Sequence, residues 1–193
     1  MAERISMRGV NDLHENEFVD TFGSIFEHSP WVAAGAWREK PFDGFAELHG
    51  AFVKAVHEAP SERRLALIRA HPDLAGKAAI SGEITPESRR EQSSAGLDDL
   101  TPEQYEAFTR TNREYREKFG FPLVIAVRGH TKETILAEAA ARLKRSRPEE
   151  VETALAEISK IALLRLRDRV EPDPGEDAGA RSTIGETARD EGA

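Results

Sequence analysis

The chain has 193 residues, a net charge of −8 at neutral pH and no cysteine; this suits one compact domain with a sizeable core and excludes a disulfide framework, a thiolate nucleophile and a cysteine-ligated zinc site. No run approaches the roughly 18 apolar residues of a membrane span, and the N-terminus lacks the basic-then-apolar order of a signal peptide, so a cytoplasmic protein with no membrane partner is expected. Seven acidic and two basic residues from Glu171 onward supply −5 of the net charge, and the nearly balanced remainder argues against nucleic acid as a partner.

Asn11 to Glu27 carries Leu13, Phe18, Phe22, Ile25 and Phe26 near a 3.6-residue period, which predicts an amphipathic helix capped by Asn11 or Asp12. Ser29 and Pro30 form a cap-then-proline start for a helix carrying Trp31 and Trp37, and Pro41 forbids its extension. Phe45, Leu48, Phe52, Val53 and Val56 repeat at helical spacing up to Ala59-Pro60. Ser61 to Arg64 opens the next helix, and Pro72 disfavours helical geometry at His71, which places that histidine at a helix end.

Ile80 to Thr85 reads as a short connection. Thr85-Pro86 and Thr101-Pro102 are further cap-then-proline starts, the second with Gln104 at capping-box spacing and Gly120 placed to end the helix. Phe121 to Val127 is apolar and β-branched but has no evident strand partner, so a buried extended segment is expected. Helices resume over 131–145, with Arg142, Lys144 and Arg145 complementing the C-terminal end of the dipole, and over 148–170. The acidic, Gly- and Pro-containing stretch 171–193 has too little apolar surface to offset ordering entropy and is expected to be a disordered tail. The fold class that follows is all-α, a single-domain bundle of about eight helices over 1–170.

Imidazole is the side chain best suited to exchange protons near neutral pH, which makes His71 the leading candidate for catalysis. Asp73 is placed either to cap a helix starting at Leu74 or to orient that ring. Ser88, Glu91 and Gln92 stand at i, i+3 and i+4, so a hydroxyl, a carboxylate and an amide leave one helical face, as a polar heterocycle would require. Arg128 and Arg165 each carry the fork that grips a carboxylate, and the sequence does not choose between them. His71, His130 and Glu133 have no metal-ligand spacing, so no metal is expected.

Three stretches taken together, 71–78 (HPDLAGKA), 87–97 (ESRREQSSAGL) and 119–128 (FGFPLVIAVR), resemble the 2-oxo-4-hydroxy-4-carboxy-5-ureidoimidazoline (OHCU) decarboxylase family. The resemblance runs from about Phe18 to Leu166. It implies a cofactor-free, all-helical carboxy-lyase of uric acid degradation that converts OHCU into (S)-allantoin and CO₂, acting as a homodimer. Carried over by position, it implies His71 as catalytic acid/base, oriented by Glu91 as a second catalytic group. Pro72, Ser88, Arg89, Arg90, Gln92, Leu123, Val124, Ile125, Ala126, Val127 and Arg165 are implied to bind substrate. The chain closes on Asp190-Glu191-Gly192-Ala193 without a peroxisomal tripeptide, in keeping with a cytoplasmic enzyme. The residues alone leave two rivals: a hydrolase of a cyclic ureide and a non-enzymatic helical adaptor.

Overall fold

The computed structural model describes residues 4–76 and 84–172. The acidic tail beyond Pro172, and most of the connection expected at 80–85, lie outside the described residues. Within them the chain is all-α, with nine helices: α1 (Met7–Asp12), α2 (Glu15–Phe22), α3 (Pro30–Trp37), α4 (Phe45–His57), α5 (Ser61–Ala70), α6 (Pro86–Ser94), α7 (Pro102–Phe119), α8 (Lys132–Arg142) and α9 (Arg147–Arg169).

The helix expected over Asn11 to Glu27 is two shorter ones. His14 caps α2 in a box closed by the Glu17 carboxylate, and Leu13 is extended at ψ 133°. Asn11 is no cap, because its amide is committed to the backbone of Phe42, donating to the carbonyl at 2.8 Å and accepting from the N–H at 2.9 Å. Helix α2 also stops at Phe22, so Glu27 lies in the connection to α3. The starts at Thr85 and Thr101 form as the proline signals require, with each threonine hydroxyl accepting a backbone N–H of the first turn. Gly120 ends α7 in the left-handed region at φ 78°, which glycine adopts without a Cβ penalty.

The core has two aromatic centres. Phe18, Phe22 and Phe26 gather around Phe52 where α2, α3 and α4 pack together, with centroids 5.8–6.2 Å from Phe52. Tyr115, Phe119 and Phe121 form the other beside α7. Helix α9 joins them, packing against α4, α5 and α7. A single parallel bridge between Ile5 and Val170, with Ile5 N–H donating to the Arg169 carbonyl at 2.8 Å, fastens the start of the described chain to the end of α9. The segment 121–127 is buried along its whole length and belongs to no sheet among the described residues.

Candidate active site

Helix α5 ends because Pro72 holds His71 in an extended conformation, φ −72° and ψ 140°. The ring folds back over the last turn, and its Nδ1 lies 3.0 Å from the Leu67 carbonyl. A carbonyl only accepts, so Nδ1 carries the proton and Nε2 is the nitrogen left with a lone pair. His71 is 6% exposed. Burial pushes its pKa down to about 4, opposed in part by the Leu67 bond and the nearby charge of Glu27 and reinforced by Arg165 and His28. At neutral pH the imidazole is therefore uncharged and able to accept a proton. The Leu67 carbonyl, and not Glu91, is what orients it.

The loop after His71 is clamped from two helices. Gln92 accepts from the Ala75 N–H at 2.9 Å and donates to the Asp73 carbonyl at 3.3 Å, and Asn112 of α7 donates to the Leu74 carbonyl at 2.8 Å. Ala75 sits at φ 52°, a left-handed conformation that an alanine holds only when its surroundings enforce it. Asp73 pairs with Arg116 at 2.8 Å and has no hydrogen bond to the imidazole among the described residues, and the helix it was expected to cap would run into 77–83, outside them.

A cavity opens beside this loop, about 320 Å³ of empty space counting the solvent in its open mouth. His71, Pro72, Ser88, Glu91, Gln92, Leu123, Val124, Ile125 and Val127 line it, as do Leu74 and Ile161. Three stretches far apart in sequence thus meet around one space. Arg89 and Arg90 do not line it and lie on the exposed side of α6. Ala126 is buried outside the lining, and its N–H is taken by the Glu157 carboxylate at 2.9 Å.

Arg165 lies behind the cavity and is 4% exposed. Its Nε and Nη2 grip the two Glu91 oxygens at 2.7 Å each, and Nη2 also donates to the Ser88 hydroxyl at 3.2 Å. Nη1 donates to Glu27 at 3.2 Å and to the carbonyls of Ile25 and Ser24 at 3.2 and 3.4 Å. All five guanidinium donors are consumed by the protein, so Arg165 fixes Glu91 and has none left for a ligand. Burial opposes its charge, but the bonds and charges of Glu91 and Glu27 outweigh that and raise its pKa.

Sequence reasoning missed Glu27. Its carboxylate is buried, accepting from Thr85 Oγ1 at 2.7 Å, Ser88 Oγ at 3.1 Å and Arg165. Although burial alone would raise its pKa, the Thr85 bond and the charges of Arg165 and His71 hold it below the usual carboxylate range. The one hydroxyl proton of Ser88 is spent on Glu27. No local signal marks Glu27, because its partners come from α6 and α9, 58 to 138 residues away.

The OHCU decarboxylase family model matches residues 11–167. The chain belongs to the OHCU decarboxylase family. It is 46% identical over 165 residues to the 2-oxo-4-hydroxy-4-carboxy-5-ureidoimidazoline decarboxylase of Haloferax volcanii, covering 86% of this chain and 96% of that one. To the protein of the same name from Mus musculus it is 41% identical over 164 residues, covering 85% and 92%. A crystal structure of (S)-allantoin synthase superposes with a TM-score of 0.70 at 27% identity over 86% of this chain, which spans about half, 54%, of that longer one. All three motifs on which the resemblance to OHCU decarboxylases rests fall inside the matched span.

Proposed function

We propose that the chain decarboxylates OHCU to allantoin, the (S) enantiomer, and CO₂ in uric acid degradation, and that the cavity bordered by His71 and Glu91 is where it does so. Membership of the OHCU decarboxylase family supports the reaction. The observation that carries the site is the buried, neutral imidazole whose Nδ1 is tied to Leu67, leaving Nε2 for a substrate.

The substrate supplies its own electron sink. The bond from C4 to the carboxylate breaks and CO₂ leaves; the electron pair becomes a C4=C5 bond as the ring C=N pair moves onto nitrogen, which takes a proton from water. His71 Nε2 then takes the C4 hydroxyl proton as C5 receives one from water on a single face, giving the carbonyl and the stereocentre of allantoin, and His71 returns its proton to solvent. Glu27 already works to raise the basicity of His71, and Glu91 is held rigidly by Arg165 on the cavity wall. The negative charge of Glu27 favours the imidazolium that forms. Pro72, Gln92 and the backbone of Leu123, Val124, Ile125 and Val127 are the proposed contacts for the ring and ureido group. The proposed chemistry needs no cofactor, and the proposed assembly, as the resemblance implies, is a homodimer, measured by size-exclusion with light scattering.

Circular dichroism of OHCU decay tests the reading. His71→Asn is expected to lower turnover at least about 10²-fold, the lower end of general acid/base contributions, with the helical spectrum unchanged. Wild-type turnover in that variant, or ring opening without CO₂ release by the native chain, would sink it.

A further inference from the structure

Beyond the cavity, the described chain buries a second group of charges. Arg142 at the end of α8 and Glu150 in the first turn of α9 are both 0% exposed, and Tyr115 of α7 is buried with them. Arg142 donates from Nε to Glu150 Oε1 at 2.8 Å and from Nη2 to the same oxygen and to the Tyr115 hydroxyl, which itself donates to Glu150. The remaining nitrogen, Nη1, donates to the Val124 carbonyl at 2.9 Å. Val124 lines the cavity. Two residues on, Glu157 of α9 holds the Ala126 N–H at 2.9 Å.

A strand in a sheet has its position set by the backbone ladder of its neighbours. The 121–127 segment has no such neighbour among the described residues, so side chains from α8 and α9 do that work. A buried ion pair stabilises a fold little more than apolar groups of the same size would. It does fix a planar group in orientation, and here Glu150 and Tyr115 hold two edges of the Arg142 guanidinium while the third faces Val124.

We propose that Arg142, oriented by Glu150 and Tyr115, and Glu157 are positioning residues that set the Leu123–Val127 wall at the register in which it grips OHCU. This rests on the placement of substrate in the cavity given above. Neither residue touches the substrate, so both act on binding more than on the chemical step.

Steady-state kinetics with OHCU test the idea on the full chain. Arg142→Lys keeps a charge beside Glu150 but lacks the fork that also reaches Val124, so KM rises at least about 10-fold, the worth of a charge-assisted hydrogen bond, while kcat stays within about threefold. Glu157→Ala also raises KM, and Glu157→Gln, whose amide oxygen still accepts from Ala126, restores it. The Glu157 side chain is 13% exposed, so this pair decides the matter if Arg142→Lys fails to fold. Val10→Ala, which opens a cavity in the core under α1, lowers Tm and leaves KM within about twofold, because α1 gives no residue to the cavity lining and separate sites act independently. A wild-type KM in Glu157→Ala, or an equal KM change in Val10→Ala, overturns the proposal. Failure of the cavity reading shows separately, as undiminished turnover in His71→Asn.

Discussion

His71 takes its character from its surroundings more than from its residue type. Its folded pKa of about 4 lies below the free value of 6.5 because burial disfavours the charged ring. Between those values the unfolded chain binds the extra proton, so stability falls as pH falls through that window; over its full width the difference is about 3 kcal/mol. Urea titrations at pH 7 and pH 4 check this, since His71→Asn does not titrate there. Wild type is expected to lose stability relative to the variant on acidification, and a gap independent of pH would contradict the lowered pKa. The acid limb of kcat/KM is likewise expected near pH 4 and not at 6.5. The two arginines the sequence left open also part at this scale. Arg128 is exposed, its side chain 41% accessible, and pairs with Asp168 at 2.7 Å, whereas Arg165 is saturated behind the cavity.

Helices wrote themselves into the sequence wherever a cap and a proline coincided. Ser29-Pro30, Thr85-Pro86 and Thr101-Pro102 each open a helix where expected, because proline is tolerated in the first helical turn and not in the helix interior. The face formed by Ser88, Glu91 and Gln92 was legible for the same local reason: the spacing alone puts them together. The break between α1 and α2 was not, because what occupies Asn11 is the backbone of Phe42, 31 residues away. Gly120 offers a test of element-level reading. A Cβ there would meet little, the nearest atom being Arg69 Nη2 at 4.0 Å, so Gly120→Ala isolates the cost of φ 78°. The expected loss is about 1 kcal/mol, a fall in Tm of roughly 2–4 °C in a chain of this size, read by calorimetry. No fall in Tm would mean that α7 ends for another reason.

At the scale of the whole molecule, α9 is the common support. Glu150, Glu157 and Arg165 lie along its length and serve in turn the Arg142 group, the Ala126 amide and the pair Glu27 and Glu91. The aromatic centre around Phe52 holds α2, α3 and α4 in place, and with them the connection that carries Glu27. Phe52→Ala is expected to cost about 3–5 kcal/mol by chemical denaturation, the range for a fully buried aromatic residue. A loss under about 1 kcal/mol would mean that the site collapses to fill the space.

The all-α class, most helix starts, the end of α5 at His71 and, through three motifs, the OHCU decarboxylase family are readable from the order of residues. These are local or patterned properties, carried by residues within a turn or two of each other. The packed helices were needed to show that Leu67 orients His71, that Arg165 spends every donor on the protein, that Arg89 and Arg90 stay outside the cavity and that Glu27 belongs beside it. Each of those depends on how α6 and α9 approach the end of α5, and a guanidinium or carboxylate chooses its partners by that approach, which no spacing along the chain encodes.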